Sequence, residues 1–158
     1  MEEKSRKTTG MTSHKPKNIF VDGPISSSFV AASIEKHSSQ TGIGAHSIFL
    51  GQVRADSVND KKVVAIDYST YEEMALEKMH VIREEVFARH DLICMHIYHS
   101  LGLVKAGEIS LFVFTSSTHR NAAMAACEEI VERLKAELPV WGKELLEDKT
   151  FQWKENRP

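Results

Sequence analysis

Apolar positions are sparse until Ile19-Phe20-Val21, a short run that predicts a strand from Asn18. Asp22-Gly23-Pro24 has the composition of a turn. Ser26 and Ser27 are candidate N-caps for a helix reaching about His37, with Val30 and Ile34 facing inward and Gln40-Thr41-Gly42 ending it. Ala45 to Arg54, rich in Ile48, Phe49, Leu50 and Val53, predicts a strand. Lys62 to Ser69 alternates, with Val63, Ala65 and Asp67 against Val64, Ile66 and Tyr68, and predicts its hairpin partner across the mostly polar loop 55–60. From Glu72 to about His90, Ala75, Met79, Ile82 and Val86 recur at helical spacing, the clearest amphipathic helix of the chain. Strands are expected at Leu92 to His99 and Glu108 to Thr115, around a Gly-containing loop from Leu101 to Gly107. A second long helix is expected from about Thr118 to Glu137, with Met124, Cys127, Val131 and Leu134 inward and Pro139 as its stop. A short tail carries Trp141, Phe151 and Trp153.

Strands in adjacent pairs between helices imply an α+β class with a largely antiparallel sheet. Lys4, Arg6, Lys7, Lys15 and Lys17 mark residues 1–17 as a basic, disordered arm, which leaves 18–158 as a single domain. With 158 residues and 42% hydrophobic content, the chain can bury a core without staples. A formal net charge of -2 argues against a nucleic-acid partner. No apolar run approaches membrane-spanning length and no signal-peptide core precedes the domain, so a cytoplasmic protein is expected. Cys94 and Cys127 form no metal-type pair and are expected to be buried, reduced thiols.

Candidate chemistry begins at Ser116-Ser117-Thr118-His119-Arg120, where a strand leads into a helix. Free N–H groups and the helix dipole attract an anion there, and His119 and Arg120 add donors. A plain helix start capped by Ser117 or Thr118 is the competing reading. Arg54, at a strand terminus, either projects into a cleft or is simply exposed. Lys135 is either a helix-end cation favoured by the dipole or a rigidly held lysine whose pKa burial would shift. His96 and His99 stand at i and i+3 on one strand and so face opposite ways, and the other histidines show no ligand spacing; no metal is expected. These features describe a small α+β domain with an anion site and name no reaction.

Longer matches name one. Gly44-Ala45-His46 through Phe49-Leu50-Gly51-Gln52-Val53-Arg54 resembles a strand motif of molybdopterin synthase large subunits. Ile66-Asp67-Tyr68 with Tyr71-Glu72-Glu73-Met74-Ala75, His96 to Gly102 with Gly107-Glu108, Thr115 to Arg120, and Lys135 to Glu144 resemble further segments of that family in order, with Ser100 where an arginine is frequent. The resemblance covers about 18–154. It implies an α/β hammerhead-like fold with a small additional subdomain, and a homodimer at the core of a heterotetramer. It implies a small ubiquitin-like sulfur-carrier subunit as partner, whose Gly-Gly thiocarboxylate tail enters the pocket. It implies sulfur transfer to a cyclic pyranopterin monophosphate to build the molybdopterin dithiolene, with no cofactor or metal. By the same resemblance Lys135 is the catalytic lysine, and Arg54, His119 and Arg120 bind substrate. The family's second lysine falls on Gly142, so either glycine's backbone freedom lets Lys143 supply that ammonium, the preferred reading, or the site works with one lysine fewer. Lys154 and Arg157, near the C-terminus, are basic residues that could reach a neighbouring subunit's pocket. A relative that docks the carrier or a phosphorylated ligand without turnover is the alternative.

Overall fold

The computed structural model describes residues 17–157. The arm expected at 1–17 lies outside them apart from Lys17. The chain order is β1 (Phe20–Asp22), α1 (Ser27–Glu35), β2 (Ala45–Gln52), β3 (Ser57–Val58), β4 (Lys61–Thr70), α2 (Glu72–Arg89), β5 (Cys94–Lys105), β6 (Ile109–Ser117), α3 (Arg120–Glu137), β7 (Val140–Leu146) and β8 (Phe151–Trp153). The sheet runs β2-β6-β5-β4-β7-β8, antiparallel throughout, while β1 joins β5 in parallel and β3 adds to β4. The α+β class with a mostly antiparallel sheet is as the sequence predicts.

Strand β5 organises the molecule. Its first half, Cys94 to His99, pairs with β6. Its second half, Gly102 to Lys105, pairs with β4. The change of partner falls at Gly102, whose φ of 80° lies in the left-handed region that a side chain disfavours. The loop expected from Leu101 to Gly107 is therefore mostly strand. The expected hairpin between β2 and β4 is absent: β2 pairs with β6, and β4 takes β5 and β7 on its two sides. Alternation sets which face a strand buries but not which strand lies beside it.

Both faces of the β2-β6-β5 region are covered, which is why β6 is buried along nearly its whole length. On one face, Met79, Ile82 and Val86 of α2 and Cys127, Ile130 and Leu134 of α3 pack on Met95, Ile97, Leu111 and Val113. Full burial of each large aliphatic side chain here stabilises the fold by about 1.5–3 kcal/mol relative to exposure. On the other face α1 lays Val30 against Phe112 and Phe114. Ser26 caps α1 as predicted, accepting from the Phe29 amide at 3.1 Å, but Ser33 rather than Ile34 faces inward with Val30. The inner face of α3 is likewise shifted: Ala123, Ala126, Cys127, Ile130 and Leu134 are buried, whereas Met124 is 59% exposed. A third cluster, Val53, Val63, Ile66, Tyr68, Val104 and Leu146, holds the β4-β5-β7 region together. No helix among the described residues is long and apolar enough to cross a membrane.

Candidate functional site

Lys135 sits in the last turn of α3, where the helix runs into Pro139 and β7. Beside it a cavity of about 300 Å³ is lined by Tyr68, His99, Trp141, Gly142, Trp153 and Lys154, among others. A second cavity of about 520 Å³ shares Lys135, Trp153, Lys154 and Asn156 and extends to Arg54, Glu144 and Arg157. The segment after β8 is thus the wall between the two. It is pinned by the Lys154 amide donating to the Gly142 carbonyl at 2.8 Å and by Asn156 Nδ2 donating to the Lys135 carbonyl at 3.0 Å.

Gly142 lies between Ile66 and the stem of Lys154. A Cβ built on Gly142 would stand 3.0 Å from Ile66 Cγ2, and 3.4 and 3.5 Å from Cβ and Cδ of Lys154. Ile66 is the tight neighbour, and the stem of Lys154 lies at ordinary van der Waals distance from the position a Cβ would take. Lys143 faces the other way: alternation along β7 turns it outward, and its Nζ lies 3.9 Å from the centre of the Phe151 ring. It lines neither cavity. The structure does not bring Lys143 to Lys135, and Gly142 has no positive φ that would turn the chain to do so.

The electrostatics mark Lys135 and Lys154 as a pair. Partial burial lowers the pKa of Lys135, and the charge of Lys154 lowers it further. Lys135 is an exposed residue that opens onto the cavity, so the loss of hydration at its ammonium is partial. Lys154 is lowered chiefly by burial; Glu144 and Asp56 oppose the shift and Arg54 adds to it. His99, 8% exposed, is lowered to about 4, first by burial and then by the two lysines, against the bond from its Nδ1 to the Ser100 carbonyl at 2.7 Å. A carbonyl only accepts, so His99 is held as the neutral Nδ1–H tautomer. Its ring meets Tyr68 edge-on at 5.1 Å. Burial raises the Tyr68 pKa, and its hydroxyl donates to Ser110 Oγ at 3.2 Å. A cavity with two cations of weakened hydration and a neutral imidazole suits an anionic group or a charge developing on oxygen.

The other expected site residues are dispersed. Arg54 stands on the rim of the larger cavity, with 79% of its side chain exposed, paired to Asp56 at 3.3 Å. His119 and Arg120 are at the opposite end of α3 from Lys135, roughly 22 Å along the axis at 1.5 Å per residue. They are exposed and line neither cavity. His119 occupies the N-cap position without a side-chain bond, and Ser117 serves that end instead, its Oγ accepting from the Ala123 amide. Sequence reasoning missed His99, and it took Lys154, with Arg157, only as a basic residue that could reach a neighbouring subunit's pocket, whereas Lys154 lines the cavity beside Lys135 of its own chain. The signal for His99 was its place on the buried face of an alternating strand; for Lys154 it was Phe151-Gln152-Trp153, a strand-like run that places the next residue beside β7. The absence of ligand spacing read from the histidines does not hold in three dimensions, because ligand atoms of His37, Cys94 and His96 lie within 4.8 Å of one another. Cys127 is buried as expected, whereas Cys94 is only partly so.

The sequence model of the family described as MoaE protein matches residues 24–137. The chain belongs to that family. A molybdopterin synthase catalytic subunit of Drosophila willistoni is 43% identical over 118 residues, covering 73% of this chain and 32% of the fly protein. One from Oryza sativa subsp. indica is 40% identical over 121 residues, covering 77% of this chain and 62% of the rice protein. The chain thus spans about a third of the length of such fly relatives and under two thirds of the rice one. Among solved structures, molybdopterin synthase from Staphylococcus aureus superposes with a TM-score of 0.74 at 28% identity, covering 90% of this chain and all of that one. A complex of subunits 1 and 2 of molybdopterin-converting factor from Helicobacter pylori, at 19% identity and a TM-score of 0.73, shares the fold. This MoaE chain therefore has the family's fold, and a glycine in β7 against which Lys154 packs.

Proposed function

We propose that the chain is the catalytic subunit of a molybdopterin synthase, a sulfurtransferase. It would take sulfur twice from the thiocarboxylated Gly-Gly terminus of a small ubiquitin-like carrier and place both atoms on cyclic pyranopterin monophosphate as a dithiolene. The observation that carries this reading is the convergence of Lys135 and Lys154 on one cavity above Gly142, in a chain of the MoaE family. Lys135 holds the carrier's terminal thiocarboxylate and stabilises the anion formed when its sulfur attacks. Lys154, not Lys143, supplies the second ammonium. Arg54 serves as an electrostatic clamp at the rim.

His119 and Arg120 fit this reading only in a homodimer. At roughly 22 Å from Lys135 along a rigid helix, they bind the substrate phosphate only at the cavity of a second copy. Each substrate site would then combine Lys135 and Lys154 of one chain with His119 and Arg120 of the other, and a carrier subunit at each cavity would complete a heterotetramer.

The test is a single-turnover reaction of this protein, the pyranopterin monophosphate and a thiocarboxylated carrier, read by mass spectrometry. Dithiolene product is expected, and Lys135→Ala should abolish it with the circular dichroism spectrum unchanged. Carrier binding without product in the unmodified protein would instead favour a docking relative. Full activity in Lys135→Ala would refute the assignment of the site.

A further inference from the structure

On the sheet face opposite the lysine cavity, α1 and its following turn cover a second group of chemistry-bearing side chains. Cys94 and His96, at i and i+2 on β5, project to the same side, and His37 approaches them from the turn after α1. Phe114 floors the group, its ring 4.9 Å from His37, 5.0 Å from His46 and 6.1 Å from His96. We propose that His37, Cys94 and His96 form a site for a thiophilic d10 metal ion, zinc foremost, with solvent as the fourth ligand.

The geometry of the imidazoles carries this inference. His37 Nδ1 lies 2.7 Å from the Ser33 carbonyl, which only accepts, so Nδ1 holds the hydrogen and Nε2 presents a lone pair. That lone pair faces His96 Nε2 at 3.0 Å. Two nitrogens bound to zinc at about 2.05 Å in a tetrahedron stand about 3.3 Å apart, so only a small opening is required. A carbonyl bonded to the far nitrogen of a ligating histidine fixes its tautomer and ring orientation in metal sites, and the Ser33 carbonyl stands in that place on His37. Without metal, His96 Nε2 carries the hydrogen and donates it to His37. On binding, that hydrogen moves to His96 Nδ1, and the Cys94 thiol releases one proton to solvent as the metal–sulfur bond forms.

Cys94 and His96 are only partly buried, which leaves an ion a way in. His96 is pushed down to about 4, by burial first and then by Lys17, His37 and Arg83, and is neutral at physiological pH. The positive charges of Lys17 and Arg83 oppose a cation, and the single thiolate offsets that opposition. His46, whose Nδ1 is 2.7 Å from Ser116 Oγ, borders the site as an outer neighbour. The inferred ion would tie the end of α1 to β5 and is independent of the reading of the lysine cavity.

The experiment uses the full chain without a histidine tag, stripped by chelator and titrated with Zn(II) and, as a spectroscopic probe, Co(II). One equivalent per chain is expected, with a thiolate-to-cobalt charge-transfer band and a rise in Tm of about 5 °C at saturating zinc. Cys94→Ser should remove the band, and both it and His37→Gln should weaken zinc binding at least tenfold. Cys127→Ser, which alters the other free thiol, should leave band and affinity intact. Metal-free Tm values near that of the unmodified chain would show that the variants fold. Should either site variant fail that check, the other carries the test. The inference is overturned by the absence of stoichiometric binding, or by a band and affinity that survive Cys94→Ser and His37→Gln.

Discussion

Lys154 reaches the cavity from the end of β8 and lies against Gly142, where the resemblance leads one to look for a lysine. The consequence for activity is specific. Lys154→Ala should slow single-turnover sulfur transfer by roughly 10²-fold or more, the usual scale for losing one preorganised electrostatic group. Lys143→Ala, which removes only an outward contact with Phe151, should change the rate less than about threefold. The opposite ranking would restore Lys143 to the site. His99 supports a prediction on stability. Its pKa falls from 6.5 to about 4 on folding, so the folded chain binds fewer protons than the unfolded one between those values. Stability from this group is complete above pH 6.5 and declines as the pH drops to 4, by on the order of 3 kcal/mol. Urea unfolding at pH 7 and pH 4 should register that loss together with a share from His96, which is lowered in the same way, and His99→Gln should reduce the total by its own share; an unchanged slope in the variant would remove His99 as a source.

Among elements, α2 was legible because large apolar residues mark a complete stripe, Ala75, Met79, Ile82 and Val86, all buried as expected. Helix α3 was legible in extent but not in orientation. Its inner face uses Ala123 and Ala126, which carry little hydrophobic weight yet allow close approach to β2 and β6, while Met124 points to solvent. The pairing of β2 with β6 was hidden for another reason: strands far apart in sequence leave no local trace of their partnership. The same limit concealed the second lysine. Lys135 announced itself at a helix end, but Lys154 belongs to the site only through the β7-β8 hairpin, and the sequence reading had treated that hairpin as a tail.

At the scale of the whole molecule, the proposed site spans two chains, and this can be tested without a structure of the assembly. Lys135→Ala and Arg120→Ala should each be inactive alone. Mixed and allowed to exchange subunits, half of the dimers become mixed, and each mixed dimer holds one intact site, so about a quarter of the unmodified activity should return. No recovery would place Arg120 and Lys135 in the same chain's site, and an active Arg120→Ala variant would place Arg120 outside the chemistry. The class of the fold and its family were legible from ordered motifs. The division of the site between chains was not, because spacing along a sequence does not reveal how long a straight helix holds its two ends apart.

The shared strand β5, turned at Gly102, has a consequence in terms of descent. Its first half belongs to the sheet beneath α2 and α3, and its second half to the sheet that presents Gly142 and Lys154. A recombination event that exchanged one region for a foreign counterpart would cut through a continuous strand and leave half of it without hydrogen-bonding partners. The two regions are therefore expected to be inherited together, gaining and losing residues at their loops while the strand that joins them stays whole.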